Sequence, residues 1–282
     1  MEKRSLKKYF DKVYVINYIE GKERREIINQ MFSDYGLIDD IEFIYGMPFG
    51  KISAIKPLFE QIAKMTPRNV GSVNTIGCSF SHYTAIKTAY ELGYNTVLVI
   101  EDDVIIRNNI DLIFDYLDTA PKDWNYLYFT LVYASGNVKV TDLNLFKDTS
   151  DKWINMKNLS IGQLHDFPGV NNSLILSSGV YAMDRKAMNL FIKMFENDNR
   201  ILNSDMLEYF YHNVSQSPLN MYTTKERLFA TNNELGSIKI ENNQYKISQF
   251  LISNSEEVSK TNFKYTLDEK DNSIVDNLRK QS

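Results

Sequence analysis

Glu101, Asp102 and Asp103 stand side by side near the end of a run, Thr96 to Val104, that reads TVLVIEDDV. Three adjacent carboxylates repel one another and are stabilised by a cation, so residues of this type suit a divalent metal with oxygen ligands. A metal held in that way suits a phosphate-bearing ligand in turn. The residues before them, Val97, Leu98, Val99 and Ile100, are apolar and mostly β-branched, which predicts a buried central strand delivering the acids to a sheet edge. The tripeptide alone has a second reading: Asp102 or Asp103 caps a helix that starts with the apolar run from Ile105.

Other residue types with chemical potential lie elsewhere. Asn17, Arg24 and Arg25 fall near the carboxyl end of a predicted first strand, Val13 to Ile16. In open α/β sheets ligands bind at that edge, where arginines can meet a diphosphate; the alternative is a solvated helix start. Ser81 and His82 lie at the start of a helix predicted from Phe80, where a histidine serves either as a structural hydrogen-bond partner or as a catalyst. In the opening segment Lys3, Arg4, Lys7, Lys8 and Lys12 outnumber Glu2 and Asp11, a cluster suited to an anionic membrane surface or simply to water.

These residues need a scaffold, and the periodicity supplies one. Ile27, Ile28, Met31, Phe32 and Tyr35 form a helical stripe stopped by Gly36, and a second strand, Ile41 to Tyr45, follows. The opening therefore reads as strand, helix, strand with a right-handed crossover. A helix is expected over Ser53 to Met65, a loop from Thr66 to Ile76, and a helix from Phe80 carrying Tyr83, Ile86 and Tyr90 and stopped by Gly93. Beyond the acids, Ile110, Ile113, Phe114 and Leu117 mark a helix ended by Pro121, and Tyr126 to Thr130 a strand. Residues 132–169 show weak periodicity and read as a long irregular insertion suited to acceptor recognition. Leu174 to Met183 reads as a strand interrupted at Ser178 and Gly179, followed by a helix capped by Asp184. Ser204 is placed to cap a further helix, and Leu219 to Tyr222 reads as a last edge strand. The expected division is one domain over residues 1–252 with a polar tail or short helix over 253–282.

Composition bounds the function. The chain has 282 residues, 43% of them hydrophobic, enough for one large domain with a substantial core. With 32 basic against 36 acidic residues it lacks the general basic field of a nucleic-acid binder. A lone cysteine, Cys78, excludes an internal disulfide. No apolar run reaches the ~18 to 20 residues that span a bilayer, and the opening lacks a signal peptide's apolar core, so the expected location is cytoplasmic. There is no glycine-rich dinucleotide fingerprint and no Gly-Lys-Ser or Gly-Lys-Thr phosphate loop, which argues against Rossmann oxidoreductases and P-loop NTPases. A signalling receiver domain, which also opens with an acidic pair after a strand, would need a phosphorylatable aspartate at the end of the next apolar strand. Tyr126 to Leu131 runs into Val132 and Tyr133 without one.

Six segments together resemble glycosyltransferase family 25, which includes bacterial lipooligosaccharide galactosyltransferases and is related to collagen galactosyltransferases. They are VYVINYIEGKERR (13–25), IGCSFSHYTAI (76–86), VLVIEDDV (97–104), DWNYLYF (123–129), SSGVYAMDRKAM (177–188) and NSDMLEYF (203–210). The resemblance implies an α/β fold of the GT-A type, a central mostly parallel sheet flanked by helices. It also implies inverting transfer of a hexose, galactose foremost, from a UDP-sugar to a saccharide acceptor, expected to be lipid-linked at the inner membrane face, with Mn2+ or Mg2+. On this resemblance Glu101, Asp102 and Asp103 match the acidic metal motif, with Asp103 and Glu101 as metal ligands and Glu101 and Asp102 also on the donor side. Asn17 and Arg25 line the donor side, where Arg24 joins them by its place near the end of the first strand, and Ser81 and His82 match a Ser-His pair assigned to the donor side with its precise role open. Asp205 is the general base. Ile44-Tyr45-Gly46 departs from the Val-Asp-Gly-like element of many members. A catalytically silent domain that binds a nucleotide-sugar or glycan is the alternative of a different class; it would need no base.

Overall fold

Long apolar runs in this sequence arise because both faces of one sheet are covered. The computed structural model describes residues 4–18, 21–46, 73–106, 109–129, 132–135, 151–156, 172–175, 179–197, 219–226 and 228–231. Its elements follow the order β1 (Lys12–Tyr18), α1 (Lys22–Asp34), β2 (Glu42–Gly46), α2 (Val73–Glu91), β3 (Thr96–Glu101), β4 (Val104–Ile106), α3 (Ile110–Asp118) and β5 (Tyr126–Tyr128). They continue with β6 (Val132–Ser135), β7 (Trp153–Asn155), β8 (Asn172–Ile175), β9 (Val180–Asp184), α4 (Arg185–Asn197), β10 (Met221–Thr224) and β11 (Phe229–Thr231).

Successive residues of a strand point to opposite faces. Tyr14 and Ile16 of β1 and Val97 and Val99 of β3 accordingly join one core cluster, with Ala85, Ile86 and Ala89 of α2 and Ala187, Met188 and Phe191 of α4. Val13, Val15, Leu98 and Ile100 join the other, with Ile28, Met31 and Phe32 of α1 and Ile113, Phe114 and Leu117 of α3. Each fully buried large apolar side chain in these layers, such as Phe191 or Ile100, contributes about 1.5–3 kcal/mol. The result is an α/β fold, a central sheet flanked by helices, as the resemblance implied.

The seven-stranded sheet has the order β2-β1-β3-β9-β5-β10-β7. β1 pairs in parallel with both β2 and β3, and β10 with β5, while β9 and β7 run against their neighbours. The carboxyl ends of β1, β2 and β3 therefore share one edge, with Asn17 opposite Tyr45 and Ile16 opposite Glu101. β9 begins at the same edge, where the Glu101 amide donates to the Gly179 carbonyl at 2.8 Å.

Local chemistry sets the helix ends. Gly36, at φ 71°, takes the left-handed conformation that closes α1, and the Leu37 amide returns to the Phe32 carbonyl at 2.8 Å. Asp184 caps α4 as expected, accepting from the Ala187 amide at 2.8 Å.

Several expectations are corrected. α2 begins at Val73, so Ser81 and His82 lie inside the helix and not at its start, and part of the loop expected over Thr66 to Ile76 is helical. The acids do not cap the following helix: β4 intervenes, and Asn109 caps α3 by accepting from the Asp111 amide at 2.9 Å. The expected strand over Leu174 to Met183 is two strands in different sheets, β8 with β6 and β9 in the main sheet. The insertion over 132–169 contains β6 and β7. β10 is not an edge strand, because β7 pairs outside it. The helix expected over Ser53 to Met65, the one after Ser204 and the tail over 253–282 lie outside the described residues.

Candidate active site

Of the three acids, Asp102 is the one held by the turn after β1. It is buried, and both carboxylate oxygens are engaged: Oδ2 accepts from Asn17 Nδ2 and Oδ1 from Arg24 Nη1, each at 2.7 Å. Asn17 is itself fully buried at the end of β1, and its amide also donates to the Gly21 carbonyl at 3.2 Å. Its Oδ1 accepts from Arg25 Nε at 3.1 Å. The turn from β1 into α1 thus wires Asn17, Arg24 and Arg25 to the acidic end of β3. Burial works against the Arg24 charge, but Asp102 and then Asp103 outweigh it and raise its pKa above the ordinary guanidinium value.

Glu101 is held on a different side. His82, buried inside α2, places Nε2 3.0 Å from Glu101 Oε1 and Nδ1 2.9 Å from the Tyr181 hydroxyl on β9. Burial by itself depresses the His82 pKa; Tyr181, Cys78 and Glu101 together prevail, and it stands well above 6.5. Burial pushes the Tyr181 phenol up to about 12. Ligand atoms of Cys78, His82 and Glu101 all lie within 4.8 Å of one another, a donor set softer than manganese or magnesium prefers. Both imidazole nitrogens already have partners there.

Asp103 makes a longer contact, 3.9 Å from Arg24 Nη1. The Glu101 and Asp103 side chains keep 22% and 18% of their surface, so two carboxylates reach solvent beside a third that is neutralised. Such hard oxygen donors fit Mg2+ or Mn2+.

Arg25 lies 4.9 Å from the Phe43 ring centre and 5.0 Å from that of Tyr45, and its Nη2 is buried without a hydrogen-bond partner among the described residues. Tyr45, half exposed, sits at the same edge.

The structure therefore brings Asn17, Arg24, Arg25, His82, Glu101, Asp102 and Asp103 together. Ser81, next to His82 in α2, is buried but turns into its own helix, donating to the Gly77 carbonyl at 2.7 Å. A Cβ on Gly46 would stand 3.3 Å from Ser81 Oγ, so the glycine lets β2 end close against α2. Asp205 lies outside the described residues. Of the basic opening segment, Arg4 is paired with Asp111, Lys12 with Glu42, and Lys7 donates to the Asp39 carbonyl. Tyr181 was not singled out from the sequence, because a tyrosine in an apolar strand gives no sign of what its hydroxyl meets.

An α/β sheet with acids and arginines at the carboxyl edge of its parallel strands is a ligand-binding architecture. Residues 10–208 match the model of Glycosyltransferase family 25 (LPS biosynthesis protein), and the chain belongs to that family. It is a glycosyltransferase, and the family implies a nucleotide-sugar donor and a saccharide acceptor. No curated protein matches the chain. Among solved structures it is similar to a glycosyltransferase involved in glycosylation of the major capsid of PBCV-1, at 10% identity and TM-score 0.41, over 85% of this chain and 97% of the other. It is also similar to a putative glucose-1-phosphate thymidylyltransferase from Bacillus anthracis, at 10% identity and TM-score 0.37, over 77% and 69%. A third is mouse xyloside xylosyltransferase 1, at 11% identity and TM-score 0.32, over 75% and 71%. Among the described residues no helix is long and apolar enough to cross a membrane.

Proposed function

We propose that this chain transfers a hexose, with galactose the leading candidate, from a UDP-sugar to a saccharide acceptor in lipooligosaccharide or other cell-surface glycan synthesis. The acceptor is taken to be lipid-linked and the location the cytoplasmic face of the inner membrane. One observation carries the reading: Glu101 and Asp103 reach solvent on either side of a neutralised Asp102, at the edge where Asn17, Arg24 and Arg25 converge.

Glu101 and Asp103 would hold Mn2+ or Mg2+, whose chemistry is Lewis-acid stabilisation of the departing diphosphate. Arg24, fixed against Asp102, adds positive charge beside it, and Arg25 supplies a donor at Nη2. Asp205 is assigned the general base that takes the proton of the attacking acceptor hydroxyl. Such help is worth roughly 10²- to 10⁴-fold, and holding two substrates together adds more. Attack opposite the leaving group inverts the anomeric centre through an oxocarbenium-like transition state, by analogy with glycosidases. No covalent nucleophile is needed.

The test is UDP release across a panel of UDP-sugars, with manganese and then with chelator, in the presence of a lipooligosaccharide extract. Release from one donor that needs the metal and disappears in Asp103→Ala supports the reading and names the sugar. Full activity in Asp205→Asn removes that residue from the mechanism. Metal-dependent UDP binding with no turnover on any donor and acceptor would instead mark a binding domain.

A further inference from the structure

Glu101 is the outer end of a buried polar chain that starts in the middle of the sheet. Tyr181 is fully buried in β9, opposite Val99 of β3 on one side and Tyr128 of β5 on the other, and its ring stacks on Tyr126 at 5.7 Å and 4°. Its hydroxyl meets His82 Nδ1 at 2.9 Å, and His82 Nε2 meets Glu101 Oε1 at 3.0 Å. A carboxylate can only accept, so Nε2 carries a hydrogen and donates to Glu101; Nδ1 faces the Tyr181 hydroxyl, which accepts from it when the ring is protonated and donates to it when the ring is neutral. Polar groups buried this deeply are unfavourable unless paired, and a phenylalanine and a leucine would fill the same space without that demand. The arrangement is therefore better explained by what it does to Glu101 than by core packing.

We infer that Tyr181 and His82 are positioning residues, which hold the Glu101 carboxylate in the orientation it needs for metal-dependent binding of the donor diphosphate. This rests on the role given to Glu101 above. A glutamate at a strand end has three side-chain torsions to restrict, and a hydrogen bond to one oxygen from a helix locked in the core restricts them. Loss of such an outer partner of a metal-binding carboxylate typically weakens metal affinity about 10- to 100-fold.

The experiment measures Mn2+ affinity in the presence of UDP, kcat and KM for the donor, and thermal unfolding, for the unaltered protein and for Tyr181→Phe, His82→Leu, His82→Gln and Glu101→Gln. Tyr181→Phe is expected to stay folded and to weaken Mn2+ binding about tenfold, and His82→Leu at least as much. His82→Gln, whose amide nitrogen can replace imidazole Nε2 as donor to Glu101, is expected to recover most of the affinity; a purely structural role gives no reason for that recovery. The inference is overturned if Tyr181→Phe and His82→Leu shift only the unfolding temperature. It is equally overturned if Glu101→Gln leaves Mn2+ affinity unchanged. Absence of metal-dependent UDP binding in the unaltered protein overturns the functional reading as well, and shows before any substitution is made.

Discussion

Two ion pairs in this protein have the same length and opposite settings. Arg24 Nη1 stands 2.7 Å from Asp102 Oδ1, with 13% and 9% of the side-chain surfaces exposed; Lys87 Nζ stands 2.7 Å from Glu196 Oε1, with 36% and 44% exposed. In the first pair the charges are largely removed from water, and Asn17 adds a second bond to the same carboxylate. The second bridges the outer surfaces of α2 and α4, where water and salt screen it. Distance alone says nothing of this difference. The buried pair anchors the candidate active site, and the exposed pair trims a surface.

The comparison breaks most easily at Asp102. Replacing it by alanine strands Arg24 and the Asn17 amide beneath the surface, and removal of one partner from a buried pair costs about 3–5 kcal/mol. Urea unfolding of Asp102→Ala should show a loss of that order. A loss under about 1 kcal/mol would mean that water reaches Arg24 freely and that the two settings are not different in kind.

Arg24→Lys sharpens the point with charge conserved. The guanidinium reaches Asp102 at 2.7 Å and Asp103 at 3.9 Å, whereas an ammonium is a single, strongly hydrated charge on a flexible stem. The expected loss is about 1–2 kcal/mol, smaller than for Asp102→Ala because a cation remains. Calorimetric UDP binding should weaken with it. Unchanged stability together with unchanged UDP affinity would show that only the charge of Arg24 matters.

Which of these groups could be read from the sequence follows from the range of the interaction. Val97 to Ile100 declare a doubly covered strand because burial on both faces leaves a continuous apolar run. The stripe from Ile27 to Tyr35 declares a helix, and Gly36 its end, because those rules act over a few residues. The acids and Asn17, Arg24 and Arg25 were placed on one edge because three parallel strands put their carboxyl ends together. What escaped is long-range. That Asp102 is internally neutralised depends on partners 85 and 78 residues away, and the Tyr181 to His82 contact spans 99. β6, β7 and β11 are only three or four residues long and carry too little periodicity to stand out. The interior position of β10 is set by pairing with β7, which no local pattern encodes.

The smallest effect is expected at the exposed pair, and there pH gives the discriminating test. Tyr83 joins it, donating to Glu196 at 2.6 Å and accepting from Lys87 at 2.9 Å while stacking on Phe195 at 4.2 Å. The Lys87 and then the Tyr83 hydrogen bond lower the Glu196 pKa below the usual 4.5, and Glu196 raises that of Lys87 above 10.5. A lowered carboxylate stabilises the fold above its unfolded pKa and stops doing so as pH falls through the folded value; a raised ammonium does so below its unfolded pKa and stops as pH rises. The contribution is thus confined between those limits and screened within them. Lys87→Met should leave the thermal midpoint at neutral pH and moderate salt within the scatter of repeat scans. Any difference seen at low salt should shrink both on adding salt and on acidifying below pH 4.5. A loss at neutral pH and moderate salt as large as that of Arg24→Lys would mean that bond length, and not burial, ranks the two pairs.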